Sequence, residues 1–144
     1  METHVTDITH AIQLAVAPVF LLTAIATLIM ALNNRLGRIV DRRRVIQDRL
    51  ANPSGVDIAE ENIELGLLSQ RIRVVYQAIF SAVISALLIC LVVVNAFLGA
   101  LLATDLSRIV AVLFILAMLA MIVCLGFFLR EIFVAVRGGS HYVR

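Results

Sequence analysis

The sequence is short of charge. Only 15% of its 144 residues are charged, whereas 62% are hydrophobic. Soluble domains of this size carry about a quarter charged and about half apolar residues. The composition therefore excludes an ordinary soluble domain and indicates an all-α integral membrane protein.

Sequence motifs for catalysis are also missing. There is no H-E-x-x-H, G-x-S-x-G, P-loop or G-x-G-x-x-G pattern. The two cysteines, Cys90 and Cys124, lie singly in apolar stretches, where a thiol is typically a small packing residue rather than a metal ligand. We expect no enzymatic activity, no cofactor and no metal site.

Three stretches contain no Asp, Glu, Lys or Arg: Ile8–Asn34, Val74–Thr104 and Ile109–Leu129. About 20 apolar helical residues cross a ~30 Å hydrocarbon core, so each stretch is long enough to span a membrane. We expect a single membrane domain with spans at 8–34, 74–104 and 109–129, and a tail at 130–144.

Lysine is absent, and all twelve basic residues are arginines. Eight of them lie between the first and second spans and three follow the third span, whereas the chain start carries Glu2 and Asp7. The positive-inside rule then places the N-terminus outside, and residues 35–73 and the C-terminus in the cytoplasm. The acidic start also argues against a cleaved signal peptide.

Residues 35–73 resemble an antiparallel helical hairpin. Asn52-Pro53-Ser54-Gly55 is a strong turn signal, and Asp57, two residues after it, resembles the start of a capping box with Glu60. Apolar residues recur at helical spacing on both arms: Leu36, Ile39, Val40, Ile46 and Leu50, then Ile58, Leu65, Leu68, Ile72 and Val75. We therefore expect a cytoplasmic hairpin that could dock a protein partner.

The arms of this hairpin are complementary in charge. Arg42–Arg44 and Arg49 should lie level with Asp57, Glu60, Glu61 and Glu64. The three consecutive arginines could contact anionic lipid or nucleic acid. Their acidic counterparts favour pairing across the hairpin instead, and we expect no nucleic-acid partner.

Polar side chains of the first span recur at steps of three, four and seven residues. The stripe consists of Thr6, Thr9, Gln13, Thr23, Thr27 and Asn34, and Phe20 occupies a position of the same repeat. One explanation is packing against the second and third spans, because a 3.5-residue repeat suits left-handed helix packing. The other is that copies of this helix surround an axis and line a water-filled path.

The other two spans indicate that the first span lies inside an assembly, and they leave both explanations open. The third span is almost wholly apolar, which suits a position facing lipid, and the second has its own polar stripe of Gln77, Ser81 and Ser85. Three helices form a thin bundle in which two polar stripes are hard to bury, so we expect a homo-oligomer. Pro18 should bend the first helix.

The ends of the stripe define the two mouths of such a pore. Asp7 and His10 would form the outer mouth, whereas Arg35 and Arg38 would form the inner mouth. The two rings disagree in charge, so ion selectivity does not follow from them.

Two regions, T-D-I-T-H-A-I-Q-L-A-V-A-P-V-F-L-L and N-N-R-L-G-R-I-V-D-R-R-R, are similar to a family of small bacterial membrane proteins classed as a domain of unknown function. The residues that carry the resemblance are Asp7, Ile8, Gln13, Ala17, Pro18, Asn34, Arg35, Arg38, Asp41 and Arg42. The resemblance implies three spans in a bacterial cytoplasmic (inner) membrane and no established activity.

The sequence thus leaves two functional hypotheses. The first is a homo-oligomeric channel or pore for ions or small solutes, lined by the first span. The alternative is a membrane-anchored structural or signalling adaptor that docks a partner through its hairpin.

Overall fold

The computed structural model describes residues 2–52, 55 and 57–139, with the side chains of residues 2–11, 14, 15 and 137–139 excepted. It contains three α-helices: α1 (Glu2–Ala51), α2 (Ile58–Leu102) and α3 (Ser107–Gly139). The expectation of an all-helical chain is confirmed. Each helix contains a segment long and apolar enough to cross a membrane.

The first span and the first hairpin arm form one continuous helix. α1 has 50 residues and α2 has 45, so at 1.5 Å per residue they are about 75 Å and 68 Å long. Both exceed the ~30 Å of a hydrocarbon core more than twofold. The hairpin is therefore built from the extensions of the two spans rather than from separate helices.

Buried residues follow a seven-residue repeat in all three helices. The repeat comprises Pro18, Ile25, Leu32, Ile39 and Ile46 in α1; Leu68, Val75, Ala82 and Ile89, with Ala78, Ser85 and Val92, in α2; and Ala117, Cys124 and Glu131 in α3. A 3.5-residue period keeps one face of each helix turned toward its neighbours, as in left-handed coiled coils. Pro18 is buried on this face of α1, at a position where its ring removes one backbone donor.

The helices contribute to two compact units. The first comprises Met1–Ile29 and Ser81–Val123, and the second comprises Met30–Phe80 and Cys124–Arg144. In the first unit the Ser85 hydroxyl donates a 2.8 Å hydrogen bond to the carbonyl of Ala117, which joins α2 to α3. In the second unit ion pairs join all three helices.

The turn between α1 and α2 has the expected chemistry where the structure describes it. Gly55 has φ +84°, a conformation that glycine adopts without steric cost. Asp57 Oδ1 accepts hydrogen bonds from the backbone N–H groups of Ala59 and Glu60, at 3.0 and 3.4 Å. The prediction that Asp57 caps the second arm is confirmed.

The turn between α2 and α3 is short, because α2 ends at Leu102 and α3 begins at Ser107. Ala103 has φ +50°, and the N–H of Thr104 donates to the carbonyl of Gly99 at 3.2 Å, which is a Schellman-type helix end. A Cβ atom at Gly99 would lie 3.3 Å from the Thr104 carbonyl oxygen, so glycine permits this close return. Hydrogen bonds from the Ser107 hydroxyl and backbone N–H hold the pKa of Asp105 below its usual value.

Candidate functional site

From Gln13 to Asn34, the part whose side chains the structure describes, the polar stripe of α1 does not pack against the other helices of its own chain. Gln13, Thr23, Thr27 and Asn34 are exposed, and Phe20 is 72% exposed. The opposite side of the helix is the buried side, with Ile25 and Leu32 nearly inaccessible. Intramolecular packing therefore does not explain these five residues.

The two threonines of the stripe whose side chains the structure describes satisfy their hydroxyls within α1. Thr23 donates to the carbonyl of Val19 at 3.2 Å, and Thr27 donates to the carbonyl of Thr23 at 2.9 Å. Such i−4 bonds are a common solution for threonine in helices. Each hydroxyl oxygen keeps the capacity to accept a hydrogen bond from water or from a neighbouring chain.

The outer end of the stripe lies outside the described side chains. This covers Thr6 of the stripe and the proposed outer mouth, Asp7 and His10. Their assignment stays a prediction from the sequence.

A buried carboxylate lies where the sequence suggested only a tail. α3 continues beyond Leu129 to Gly139, and the Glu131 side chain is 2% exposed. One of its oxygens accepts a hydrogen bond from Arg35 Nη1, and the other accepts from Arg71 Nη2 at 2.8 Å. One glutamate of α3 thus joins an arginine of α1 to an arginine of α2.

The position of Glu131 follows from the packing repeat. It lies seven residues after Cys124 and fourteen after Ala117, so it falls on the buried face of α3. Burial of an unpaired carboxylate would be very costly, and two guanidinium groups compensate it. Sequence inspection missed this residue because it lies just beyond the last apolar stretch. Extending the seven-residue repeat past Leu129 is the signal that would have found it.

Arg35 makes a further contact within the same unit. Its guanidinium carbon lies 5.1 Å from the centroid of the Phe128 ring, which is in the range of a cation–π interaction. Arg38, its proposed partner at the inner mouth, is exposed and forms no ion pair with a described residue. Of the two arginines of the predicted inner mouth, only Arg35 is therefore fixed by an ion pair among the described residues.

A polar cavity of about 280 Å³ opens beside this cluster. We call it the arginine cavity, and its lining residues are Arg35, Arg38, Ile39, Arg42, Leu68, Arg71, Glu131 and Ala135. Four arginines and one glutamate line it, so its walls carry a net positive charge.

Charge pairing also occurs further along the hairpin. Arg42 donates to both carboxylate oxygens of Glu64, at 2.8 and 3.2 Å, and Arg49 lies 3.6 Å from Glu61. The expected match between the basic and acidic arms is therefore present. The apolar residues expected to face each other are buried or half-buried, except Ile58, which is exposed in the first turn of α2.

The described residues offer no cluster of three or more His, Cys, Asp or Glu side chains that could hold a metal ion. Cys90 is exposed and Cys124 is buried, and neither forms a disulfide.

Three long apolar helices, with a buried repeat and extensive apolar outer surfaces, define a membrane protein of three spans that lies in a lipid bilayer. More particularly, the chain matches the family of proteins of unknown function designated DUF2721 over residues 15–139 and belongs to that family. No curated protein and no solved structure matches the chain.

Proposed function

We propose that the protein assembles as a homo-oligomer in which copies of α1 line a pore for ions or small solutes. The observation that supports this most is the exposure of Gln13, Thr23, Thr27 and Asn34 on one side of an otherwise apolar span. Amide and hydroxyl groups within a membrane typically face a water-filled path or another helix rather than lipid.

The exposed surface of α3 provides a contrast. Its large exposed side chains are apolar, among them Ile115, Leu119, Ile122 and Leu129. Such a surface suits contact with acyl chains. In the proposed assembly α3 faces lipid, α1 faces the axis, and the exposed ring of Phe20 forms a hydrophobic constriction.

Cysteine accessibility combined with conductance tests this assembly. In a Cys90→Ala background, Thr23→Cys and Thr27→Cys are each reconstituted in planar bilayers and treated with a charged, membrane-impermeant thiol reagent. We expect current from the unmodified protein and its block after modification at either position. Ile122→Cys, on the exposed side of α3, is the matched control and should leave the current unchanged.

Two results would refute the pore. One is the absence of current at every voltage and pH tested from protein shown by crosslinking to be assembled. The other is equal block at Ile122→Cys, since that would place α3 rather than α1 next to the conducting path. Phe20→Ala should raise the conductance if the ring is the constriction.

The proposed location is a bacterial cytoplasmic membrane, with the N-terminus outside and the hairpin and C-terminus in the cytoplasm. The concentration of arginines between the first two spans and after the third supports this orientation. Reporter fusions at the C-terminus test it: a reporter active only in the cytoplasm should be active, and a reporter active only outside should be silent. The reverse pattern would invert the topology.

A second function, as an adaptor that docks a protein through the hairpin, is favoured by a separate observation. Ile63 and Leu67 lie one helical turn apart on α2 and are 66% and 55% exposed, although charged residues surround them. Exposed apolar pairs at this spacing are typical anchors for a partner.

Substitution of this pair tests the adaptor function. Ile63→Ser combined with Leu67→Ser should abolish crosslinking to a specific cellular protein, and Gln70→Ser, an exposed neighbour, should not. A full set of crosslinked partners in the double variant would exclude this surface. Because the variant leaves α1 unchanged, the pore experiment and the adaptor experiment can fail independently.

A further inference from the structure

The arginine cavity has more positive charge than its own carboxylates neutralise. It is lined by Arg35, Arg38, Arg42 and Arg71. Two carboxylates offset their charge: Glu131, which also lines the cavity, and Glu64, which lies outside it and pairs with Arg42. Four positive charges against two negative charges leave a net charge of about +2 on this group of side chains, by formal count at neutral pH. The environment therefore favours an anion.

The excess charge is concentrated at Arg38. Arg35 and Arg71 share Glu131, and Arg42 holds Glu64 with two hydrogen bonds. Arg38 forms no ion pair with any residue in the described part of the chain, including the exposed Asp41 three residues further along α1. Its five N–H donors are thus available to a ligand in the cavity.

A second donor points to the same conclusion. Arg71 uses Nη2 for Glu131, but its Nε is buried and has no acceptor in the described structure. Buried donors are satisfied in nearly all native structures. Arg71 lines the cavity, and a small rotation of its guanidinium would bring this donor to an oxyanion bound there.

The position of the cavity along the helices indicates which class of anion it could bind. Three of its charged residues lie within three residues of an apolar stretch: Arg35 after Asn34, Arg71 before Val74 and Glu131 after Leu129. The ends of the apolar stretches lie at the depth of lipid headgroups. Basic pockets between membrane helices at this level recognise phosphate-bearing headgroups.

The size of the cavity fits a group with several oxygens. Its 280 Å³ equals the liquid volume of about nine waters, at roughly 30 Å³ each. Ile39, Leu68 and Ala135 provide apolar walls. Arginine side chains bind phosphate through paired hydrogen bonds with a geometry that lysine does not offer.

We propose that the arginine cavity is a binding site for a phosphate group, held by Arg38 together with Arg35 and Arg71. The phosphate belongs either to the headgroup of an anionic phospholipid or to a small soluble phosphate ester. Binding would place a ligand in contact with α1, α2 and α3 simultaneously.

The experiment uses the full chain in a maltoside detergent, which contains no phosphate. The lipid arm titrates phosphatidylglycerol and counts bound lipids by native mass spectrometry, with uncharged diacylglycerol as the tail-only control. The soluble arm titrates glycerol 3-phosphate and follows the thermal transition. Both arms are run on Arg38→Gln, Ala135→Leu and Arg44→Gln, with folding checked by circular dichroism.

Each variant isolates one feature. Arg38→Gln removes the arginine without an ion pair and leaves the Glu131 contacts intact. Ala135→Leu keeps every charge but places additional atoms in the cavity. Arg44→Gln is the matched control, because Arg44 is an exposed arginine of the same helix and does not line the cavity.

We expect Arg38→Gln to weaken phosphate binding roughly tenfold, which is the effect of losing one charge-assisted hydrogen bond. Ala135→Leu should weaken binding by roughly as much, because its larger side chain occupies space that the phosphate needs. Arg44→Gln should change binding by less than twofold. Weakening in the lipid arm alone identifies a headgroup, weakening in the soluble arm alone identifies a small phosphate ester, and weakening in both identifies the phosphate group itself.

Any of four results would overturn the proposal. They are no binding in either arm, equal binding of diacylglycerol and phosphatidylglycerol, equal weakening by Arg44→Gln and Arg38→Gln, and unchanged binding in Ala135→Leu. The third result would mean that binding depends on general surface charge, and the fourth would mean that the ligand binds outside the cavity.

Discussion

The two compact units of the chain use different contacts between the same three helices. In the first unit small residues meet: Ala82, Ser85 and Ala117 are buried, and the Ser85 hydroxyl reaches the Ala117 carbonyl. In the second unit Arg35 and Arg71 converge on a single carboxylate. Glu131 lies on the same seven-residue repeat of α3 as Ala117, so one packing face carries both kinds of contact.

The difference follows from the surroundings of each part. Within lipid there is little hydrophobic drive between helices, so small residues that allow close approach stabilise the contact. Beyond the apolar stretches charged groups can be hydrated, and arginines and glutamates are less costly to place there. A carboxylate on the buried face of a helix is then stable if two arginines reach it.

Removal of that carboxylate has the largest expected effect. Glu131→Gln leaves Arg35 and Arg71 without their shared counter-charge, and we expect the free energy of unfolding to fall by about 3 kcal/mol. Unfolding in mixed micelles measures it. The control is Glu60→Gln, an exposed glutamate without an ion pair in the described structure.

Equal stability of Glu131→Gln and Glu60→Gln would show that the ion pairs do not stabilise the second unit. A triple replacement of Arg35, Arg71 and Glu131 by leucine sharpens the result. Buried ionic clusters can be exchanged for apolar residues at little cost, so the triple variant should be more stable than Glu131→Gln. If it is less stable, the charges have a role that packing does not replace.

The fold was largely predictable because hydropathy and turn chemistry are local signals. The three apolar stretches, the cap at Asp57 and the charge match between the hairpin arms all depend on nearby residues. The joining of span and arm into one helix was less evident, since the change from apolar to charged residues at Arg35 suggests a boundary where the backbone has none.

The candidate site was predictable only in part. Exposure of Thr23 and Thr27 follows from a repeat that the sequence shows directly. The cluster at Glu131 needs residues separated by 96 and 60 positions to converge, and only the register of three helices determines that. The repeat Ala117–Cys124–Glu131 places the glutamate on the packing face, but it does not name the arginines that meet it.

Packing in the first unit gives the intermediate effect. Ala117→Leu adds three carbon atoms where α3 meets Ser85, and we expect a loss of about 2 kcal/mol in the free energy of unfolding from overpacking. Ala111→Leu is the matched control on the same helix, because Ala111 is exposed. Unchanged stability of Ala117→Leu would mean that the helices do not need close approach here.

The exposed ion pair of the hairpin gives the smallest effect. The side chains of Arg42 and Glu64 are 45% and 24% exposed, so water and salt screen their attraction. A double-mutant cycle with Arg42→Gln and Glu64→Gln should give a coupling energy of about 0.5 kcal/mol, which falls further at high salt. The cycle cancels the other interactions of Arg42, because Arg42→Gln removes them both in the presence and in the absence of Glu64.

The same cycle on Arg71 and Glu131 should give a larger coupling energy that changes little with salt, because Glu131 is buried. Equal coupling energies at the two pairs would mean that burial of the carboxylate does not strengthen its ion pair.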